Sequence, residues 1–380
     1  MARIARADVF RPDEIAIVHV MNRTVRRCFL MGDDPLTGKN FDHRKAWMED
    51  ELQRLAACFG IDLLTFAILS NHFHLILRSR PDVVQTWSDE EVARRWLVLC
   101  PIRRDDQGRA KDPNESEVSS IAKDAKRLTE IRSRLSDISW WMRLLSQTVA
   151  QRANRDDKEL GKFWQARFKA VRLLDETAIL ACSAYVDLNP IRAGISDTLE
   201  GSDYTSVQRR ALSLKSLKSL KSKVGDDMRA KAESSKPASQ TKCDAMLAPL
   251  TIDELHDAIG AVPSKTSARA SDKGYLPMTL ASYLDLLNFT ASQVRAVDQT
   301  QSQQRQSNRN KMKRAPTSDS ADSVLRRLGI SQEVWLELVN RFEQLFYTVA
   351  STPESVDARR TRDGTHRHKA KRQARQLLKA

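Results

Sequence analysis

The sequence has little cysteine, and its cysteines are not arranged for cross-linking or metal binding. The chain of 380 residues contains five, widely spaced and without a CxxC pair. This argues against a disulfide framework and against a cysteine zinc site, and it predicts a reducing compartment. No run approaches the roughly 18 apolar residues that span a membrane, and no apolar segment follows the charged first residues. We therefore expect a soluble, intracellular protein that makes no membrane contact.

Acidic residues are outnumbered by basic ones. Lysine and arginine total 63 against 49 aspartate and glutamate residues, which gives a formal net charge of +14 and a pI of about 9.7. A balance of this sign favours a polyanionic partner, of which nucleic acid is the commonest. A solvated basic surface or a basic tail would produce the same charge.

The first 200 residues alternate between strand and helix patterns. Continuous or alternating apolar runs predict strands, and apolar residues three and four apart predict helices. In chain order, the predicted elements are a strand at 15–23, a helix at 42–59, strands at 61–69 and 72–79, helices at 82–99 and 136–154, a strand at 163–174 and a helix at 176–189. This order is compatible with an antiparallel sheet covered by helices, and we expect an α+β, ferredoxin-like fold over residues 1–210.

The composition changes after this domain. The triplet Ser-Leu-Lys repeats from Ser213, and residues 211–247 are typical of a basic, low-complexity linker. Helical patterns at 251–260, 278–297 and 322–349 predict a helical accessory region over 248–350. The strongly basic residues 351–380 are expected to be a disordered tail.

Two histidines form the first chemical motif, His72-Phe73-His74. On a strand, residues i and i+2 point to the same face, so both imidazoles project together while Phe73 enters the core. Two imidazoles side by side can bind one divalent cation if a third donor comes from elsewhere. Taken alone, the pattern is weak evidence, because two histidines on a strand face are incidental more often than they are ligands.

Tyr185 and Asn189 form the second motif. On a helix they are i, i+4 neighbours on one face, which places a phenol beside an amide. The pair suits a nucleophile beside a metal ligand, and it also suits a packed tyrosine near a helix end capped by asparagine.

Three separated motifs together resemble one family. Asn71-His72-Phe73-His74, FWQARFK at 163–169 and AYVDLNPIRAG at 184–194 occur in the order found in the REP-associated tyrosine transposases, within the single-tyrosine HUH transposase superfamily. The opening strand, His19-Val-Met-Asn-Arg23, is also similar to theirs. The resemblance covers roughly residues 10–210 and implies the HUH nuclease fold, and the later half looks like the accessory region of long members.

The resemblance implies a mechanism. His72, His74 and the amide of Asn189 would hold Mg²⁺ or Mn²⁺, which polarises a phosphate of single-stranded DNA. Tyr185 would be the catalytic nucleophile, releasing a 3′-hydroxyl and retaining the strand as a 5′-phosphotyrosine. The implied function is metal-dependent cleavage and strand transfer in transposition of a mobile or REP-type element. Many relatives in the wider superfamily place glutamine where Asn189 stands, so a shorter amide would need the helix closer to the sheet, or a bridging water.

Several cations lie close to the motifs in sequence. We expect phosphate contacts from Arg23, Arg78, Arg167, Lys169 and Arg192, since phosphate neutralisation dominates affinity for nucleic acid. The implied partner is single-stranded or hairpin DNA, and the implied location is the bacterial cytoplasm, in association with the nucleoid. Whether the active unit is a monomer or a homodimer is left open.

Two other classes of protein remain open at this point. One is a DNA-binding regulator that keeps the fold without chemistry, although such a protein does not need His72, His74 and Tyr185 together. The other is a zinc-dependent hydrolase using the two histidines, which would also need a carboxylate base that the sequence does not place near His72. His19, on the first strand, is interpreted as a core histidine rather than a ligand.

Overall fold

The computed structural model describes residues 9–35, 37–227, 243–253, 260–303, 319–355, 357 and 372–378. The strands are β1 (Ile17–Arg23), β2 (Ile61–Ile68), β3 (His72–Ser79), β4 (Lys169–Leu173) and β5 (Val349–Ala350). The helices are α1 (His43–Cys58), α2 (Pro81–Thr86), α3 (Asp89–Leu99), α4 (Glu115–Ala122), α5 (Ala125–Leu135), α6 (Ile138–Asp157), α7 (Glu176–Asp187), α8 (Asn189–Arg192), α9 (Ser206–Asp227), α10 (Leu280–Gln303), α11 (Asp319–Arg327), α12 (Gln332–Leu345) and α13 (Arg372–Leu377).

The strands form a single five-stranded sheet in the order β2-β3-β1-β4-β5. The first four strands in this order pair antiparallel, and β5 joins the edge strand β4 in parallel. The predicted α+β class is therefore confirmed, but the sheet is mixed rather than purely antiparallel.

Strand β5 corrects the helix predicted at 322–349. The helical pattern divides into α11 and α12, and the chain then becomes extended at Phe346. The carbonyls of Thr348 and Ala350 accept hydrogen bonds from the backbone N–H groups of Arg172 and Leu174. A short apolar stretch thus pairs with backbone groups that the edge of β4 would otherwise leave open.

Most earlier elements follow the predictions, apart from α4 and α5, which no predicted element covers, and from two differences in bounds. The helix predicted at 82–99 is broken near Trp87, and Ser88 begins α3 by accepting a hydrogen bond from the N–H of Glu91. The strand predicted at 163–174 begins only at Lys169. The residues before it form an irregular extension of the sheet, in which the N–H of Gln165 donates to the carbonyl of Arg23.

The two faces of the sheet carry separate apolar cores. Val18, Val20, Phe73, Leu75 and Leu77 face the core under α1 and α6. On the opposite face, Ile76 packs in the core with apolar residues of α7, α10 and α12. Because both faces are covered, every position of β2 is buried, which explains its continuous apolar run.

Helices from beyond residue 280 therefore lie on the same sheet face as α7. The boundaries predicted at 210, 247 and 350 stay predictions. Helix α9 extends into the predicted linker as far as Asp227, whereas residues 228–242 of that linker and 254–259 of the helix predicted at 251–260 lie outside the described residues. Within the described ranges, no helix combines the length and apolarity needed to cross a bilayer.

Candidate active site

The candidate site lies on the face of the sheet that α7 and α12 cover. In the register of β1 with β3, Met21 is opposite His74 and Arg23 is opposite His72. Since alternate residues share a face, His19, two positions before Met21, lies on this face as well. Phe73 points the other way into the opposite core, as predicted from the strand period.

Helix α7 brings Tyr185 onto the two histidine-bearing strands. The side chain of Asp175 caps this helix by accepting a hydrogen bond from the N–H of Ala178. The ring centroid of Tyr185 is 5.4 Å from that of His74 and 6.2 Å from that of His19, with near-perpendicular planes. The tyrosine that the sequence singles out is therefore placed directly over the second histidine of the motif.

Asn189 and His72 lie at the edges of this arrangement. The amide of Asn189 lies close enough to the hydroxyl of Tyr185 to lower its pKa, as the i, i+4 spacing allows. His72 is half-buried, its ring centroid is 5.0 Å from that of His74, and its Nδ1 is 2.6 Å from Oδ1 of Asn71. The structure thus brings His72, His74, Tyr185 and Asn189 together, and their roles in catalysis and metal binding stay predictions.

Burial sets the protonation state of the imidazoles. It lowers the pKa of His72 to about 4, helped by the charge of Arg23, and lowers that of His19 to about 3. The pKa of His74 falls well below the ordinary value for the same reason. All three rings are consequently neutral at pH 7, which is the form that binds a cation through a ring nitrogen.

The same burial works against ionisation of Tyr185. Burial raises the pKa of its hydroxyl, and the negative charge of Glu343 raises it further. The charge of Arg192 and the amide of Asn189 lower this pKa and so act in the opposite direction. The phenol is therefore neutral at pH 7, and a nucleophilic phenolate would need a further positive charge beside it.

A cluster of three potential ligands includes two residues that the sequence analysis did not assign to the site. Nε2 of His19 is 3.0 Å from Nδ1 of His74, which is 3.6 Å from Oε1 of Glu343. One ligand atom from each of the three residues lies within 4.8 Å of the others. His19 was interpreted as a core histidine, and the register of β1 with β3 is what brings it to His74. Glu343 follows the motifs by about 150 residues, and no signal in the sequence connects it to them.

Helix α12 also closes the site with an aromatic ring. Phe342 is fully buried, stacks at 5.8 Å between centroids on Tyr185 and lies edge-on to His19 at 6.0 Å. The helix is irregular at Arg341, immediately before this residue. Helix α12 of the C-terminal region, through Phe342 and Glu343, therefore forms one wall of the site.

The predicted DNA contacts are distributed around this wall. Arg167 and Lys169 are exposed and line a cavity of about 290 Å³ that His19 and Glu343 also line. The guanidinium of Arg192 lies 4.7 Å above the Tyr185 ring, and it donates a hydrogen bond to the carbonyl of Asn340. Nη2 of Arg23 is 3.8 Å from Oε2 of Glu343. Their predicted contacts with phosphate stay predictions.

Arg78 is placed differently from what that prediction requires. Its guanidinium is buried, 2.8 Å from the carboxylate of Asp62, and it donates to the carbonyls of Lys273 and Gly274 at 2.6 and 2.7 Å. These partners of the guanidinium all lie inside the protein. We therefore correct this assignment and leave Arg78 out of the proposed DNA contacts.

Comparisons with known proteins give a distant match to a solved structure. No protein-family model matches the chain, and no curated protein matches it. Among solved structures, a REP-associated tyrosine transposase bound to a REP hairpin is similar to this chain with a TM-score of 0.33 and 11% sequence identity, over 56% of this chain and 86% of that one. The similarity is remote, so the geometry of the site, rather than this match, supports the function proposed below.

Proposed function

We propose that the chain cleaves and rejoins single-stranded DNA with Tyr185 as nucleophile, in a reaction that depends on a divalent cation. The observation that carries the proposal is the meeting of Tyr185 with His74, at 5.4 Å between ring centroids, on one face of the sheet. A tyrosine in an ordinary core has no need of a neutral imidazole with an unpaired ring nitrogen. Nε2 of His74 is buried without a hydrogen bond, which is unusual for a polar atom.

The residues fit a bound Mg²⁺ or Mn²⁺. His72 and His74 supply neutral ring nitrogens, and the amide of Asn189 lies beside the hydroxyl of Tyr185. When bound, a divalent cation polarises the scissile phosphate and offsets the charge that develops on it. The positive charge would also favour ionisation of the buried phenol.

The chain's own groups perform the transfer. The oxygen of Tyr185 forms a bond to phosphorus while the bond from phosphorus to the 3′ oxygen breaks. The phenolic proton passes to solvent, and the released 3′ oxygen takes up a proton. The strand is held as a 5′-phosphotyrosine, and attack by a 3′-hydroxyl reverses the step, so that cleavage and joining use one residue. Arg192, above the Tyr185 ring, is placed to stabilise negative charge at the phenol.

The substrate follows from the surroundings of the site. The exposed cations Arg167 and Lys169 lie at the cavity beside it, where they would neutralise DNA phosphates. Hairpin-associated sequences and a role in transposition of a mobile or REP-type element come from the resemblance of the three sequence motifs. The Arg167 and Lys169 side chains would bind the backbone of either a hairpin or an unpaired strand.

A covalent-trapping assay tests the proposal. Labelled single-stranded hairpin DNA, Mn²⁺ and protein are combined, and a denaturing gel shows any protein–DNA adduct. We expect an adduct with the wild-type chain and with Tyr204→Phe, a control tyrosine that packs in the opposite core, and none with Tyr185→Phe or His72→Ala. Binding without an adduct over a broad set of hairpins would instead support a regulator without catalysis.

One observation favours a second candidate, a metal-dependent hydrolase. The sequence offers no carboxylate near the histidines, but the structure places Glu343 beside His19 and His74. Two histidines and a glutamate are a ligand set that hydrolytic zinc sites use. Cleavage that survives Tyr185→Phe and produces no adduct would support this candidate and contradict the tyrosine mechanism.

A further inference from the structure

Two polar atoms in the candidate site are buried without hydrogen-bond partners. They are Nε2 of His74, on the central strand β3, and Oε1 of Glu343, on α12. Most buried polar atoms in proteins are paired, so two orphaned atoms in one cluster indicate that a group normally binds there. The atoms belong to an imidazole and a carboxylate, and a divalent cation is a group that both side chains can bind.

The distances within the cluster match a shared cation. Ligand atoms about 2.1 Å from one ion lie about 3.0–3.4 Å apart in tetrahedral or octahedral arrangements. Nε2 of His19 and Nδ1 of His74 are 3.0 Å apart, and Nδ1 of His74 and Oε1 of Glu343 are 3.6 Å apart. In this geometry Nδ1 of His74 faces the other two ligand atoms and hydrogen-bonds Nε2 of His19, whereas Nε2 of His74 is the ring nitrogen without a partner. A cation shared by the three residues would replace the contact between the two imidazoles.

The charges around Glu343 also favour a cation bound at this cluster. Its carboxylate lies beside a tyrosine whose ionisation it opposes, and its nearest cation, Arg23, is 3.8 Å away. A divalent cation on the carboxylate would more than neutralise the charge of Glu343 and so remove its opposition to ionisation of Tyr185. His19 and Glu343 also line the cavity of about 290 Å³ at whose rim Arg167 and Lys169 are exposed, so an ion can reach them.

We propose that Glu343 and His19 join His74 in binding the divalent cation, in addition to the ligands His72 and Asn189 of the proposed function, so that the C-terminal helix α12 supplies a ligand to the site. The inference deepens the proposed function and rests on it for what the cation does to DNA. It adds that the sheet alone does not hold the ion, because one ligand comes from a helix about 270 residues after His74. A hard carboxylate beside two imidazoles suits Mn²⁺, which accepts both kinds of ligand.

Metal binding itself gives the test. The full-length chain is stripped with a chelator and titrated with Mn²⁺, with free Mn²⁺ followed by electron paramagnetic resonance. We expect Glu343→Gln to weaken Mn²⁺ binding at least tenfold, since the amide has nearly the same size but no charge. Glu337→Gln is the matched control on the same helix, because Glu337 pairs with Arg341 away from the cluster, and its Mn²⁺ affinity should stay within twofold of wild type.

A second measurement avoids any folding defect of the variant. In the wild-type chain, Mn²⁺ should slow carbodiimide labelling of Glu343 at least fivefold, as read by peptide mass spectrometry, and leave labelling of Glu337 unchanged. The assignment of Glu343 as a metal ligand would be overturned if a folded Glu343→Gln protein binds Mn²⁺ with wild-type affinity. It would also be overturned if Mn²⁺ does not change the rate of Glu343 labelling.

The proposed function and the ligand assignment can be refuted independently of each other. If wild-type protein forms no DNA adduct while Mn²⁺ binding depends on Glu343, the proposed function fails and the ligand assignment stands. If the adduct forms but Glu343→Gln binds Mn²⁺ normally, the ligand assignment fails and the tyrosine mechanism stands.

Discussion

Replacing Arg78 by methionine should destabilise the fold without weakening DNA binding. Arg78 and Asp62 are both buried, and the guanidinium also binds the carbonyls of Lys273 and Gly274. Removing one partner of a buried ion pair costs about 3–5 kcal/mol, because a charge and its former partners are left unpaired. Asp62 keeps hydrogen bonds from Ser271 and a contact with Arg80, so we expect the lower end, about 3 kcal/mol.

Urea unfolding followed by tryptophan fluorescence measures this loss. The control is Arg94→Met, because Arg94 pairs with Glu115 at the surface, where the side chains are 45% and 84% exposed. Exposed pairs contribute less than about 1 kcal/mol. A change below about 1 kcal/mol in Arg78→Met, accompanied by weaker DNA binding, would refute the reasoning and return Arg78 to the DNA contacts.

Three further predictions follow from the site and its surroundings. Arg167→Gln and Lys169→Gln should each reduce the magnitude of the slope of log affinity against log salt concentration for single-stranded DNA by roughly 0.7, with unchanged unfolding midpoints. Unchanged slopes would remove these two residues from the DNA contacts. Phe342→Ala should cost about 3–5 kcal/mol in thermal unfolding, because it empties a fully buried position between Tyr185 and His19, and a loss under about 1 kcal/mol would mean that α12 does not pack there. In chelator-treated protein, the free energy of unfolding should fall as pH drops from about 6.5 towards 4. The reason is that folding depresses the pKa of His72 to about 4 and that of His19 to about 3, so in this range the unfolded chain binds protons that the folded chain does not. His72→Gln should flatten that slope in a pH series of urea midpoints, and an unchanged slope would contradict the burial of its ring.

Local patterns predicted the part of the site that lies within single elements. The i, i+2 spacing of His72 and His74 determines a shared strand face, and the i, i+4 spacing of Tyr185 and Asn189 determines a shared helix face. These relations depend only on backbone geometry, so they could be read from the sequence. The apolar run at 61–69 likewise predicted strand β2, and the structure explains why the run is continuous, since every position of β2 is buried.

The rest of the site depends on contacts between distant segments. His19 reaches His74 only through the pairing of β1 with β3, and Glu343 reaches both only because α12 packs on α7. Strand β5 carried no strand signal of its own, since two residues are too few for a period. The role of Arg78 was misjudged because closeness in sequence to the histidines says nothing about the direction in which the guanidinium points.

The most direct test of the central claim is to locate the covalent bond to DNA. The adduct formed with Mn²⁺ and labelled single-stranded hairpin DNA is digested with protease and nuclease, and the nucleotide-bearing peptide is sequenced by mass spectrometry. The proposed mechanism predicts a 5′-phosphate ester on the Tyr185 hydroxyl and its loss in Tyr185→Phe. Cleaved DNA without any linked peptide, or a linkage to another residue such as Tyr347, would contradict it.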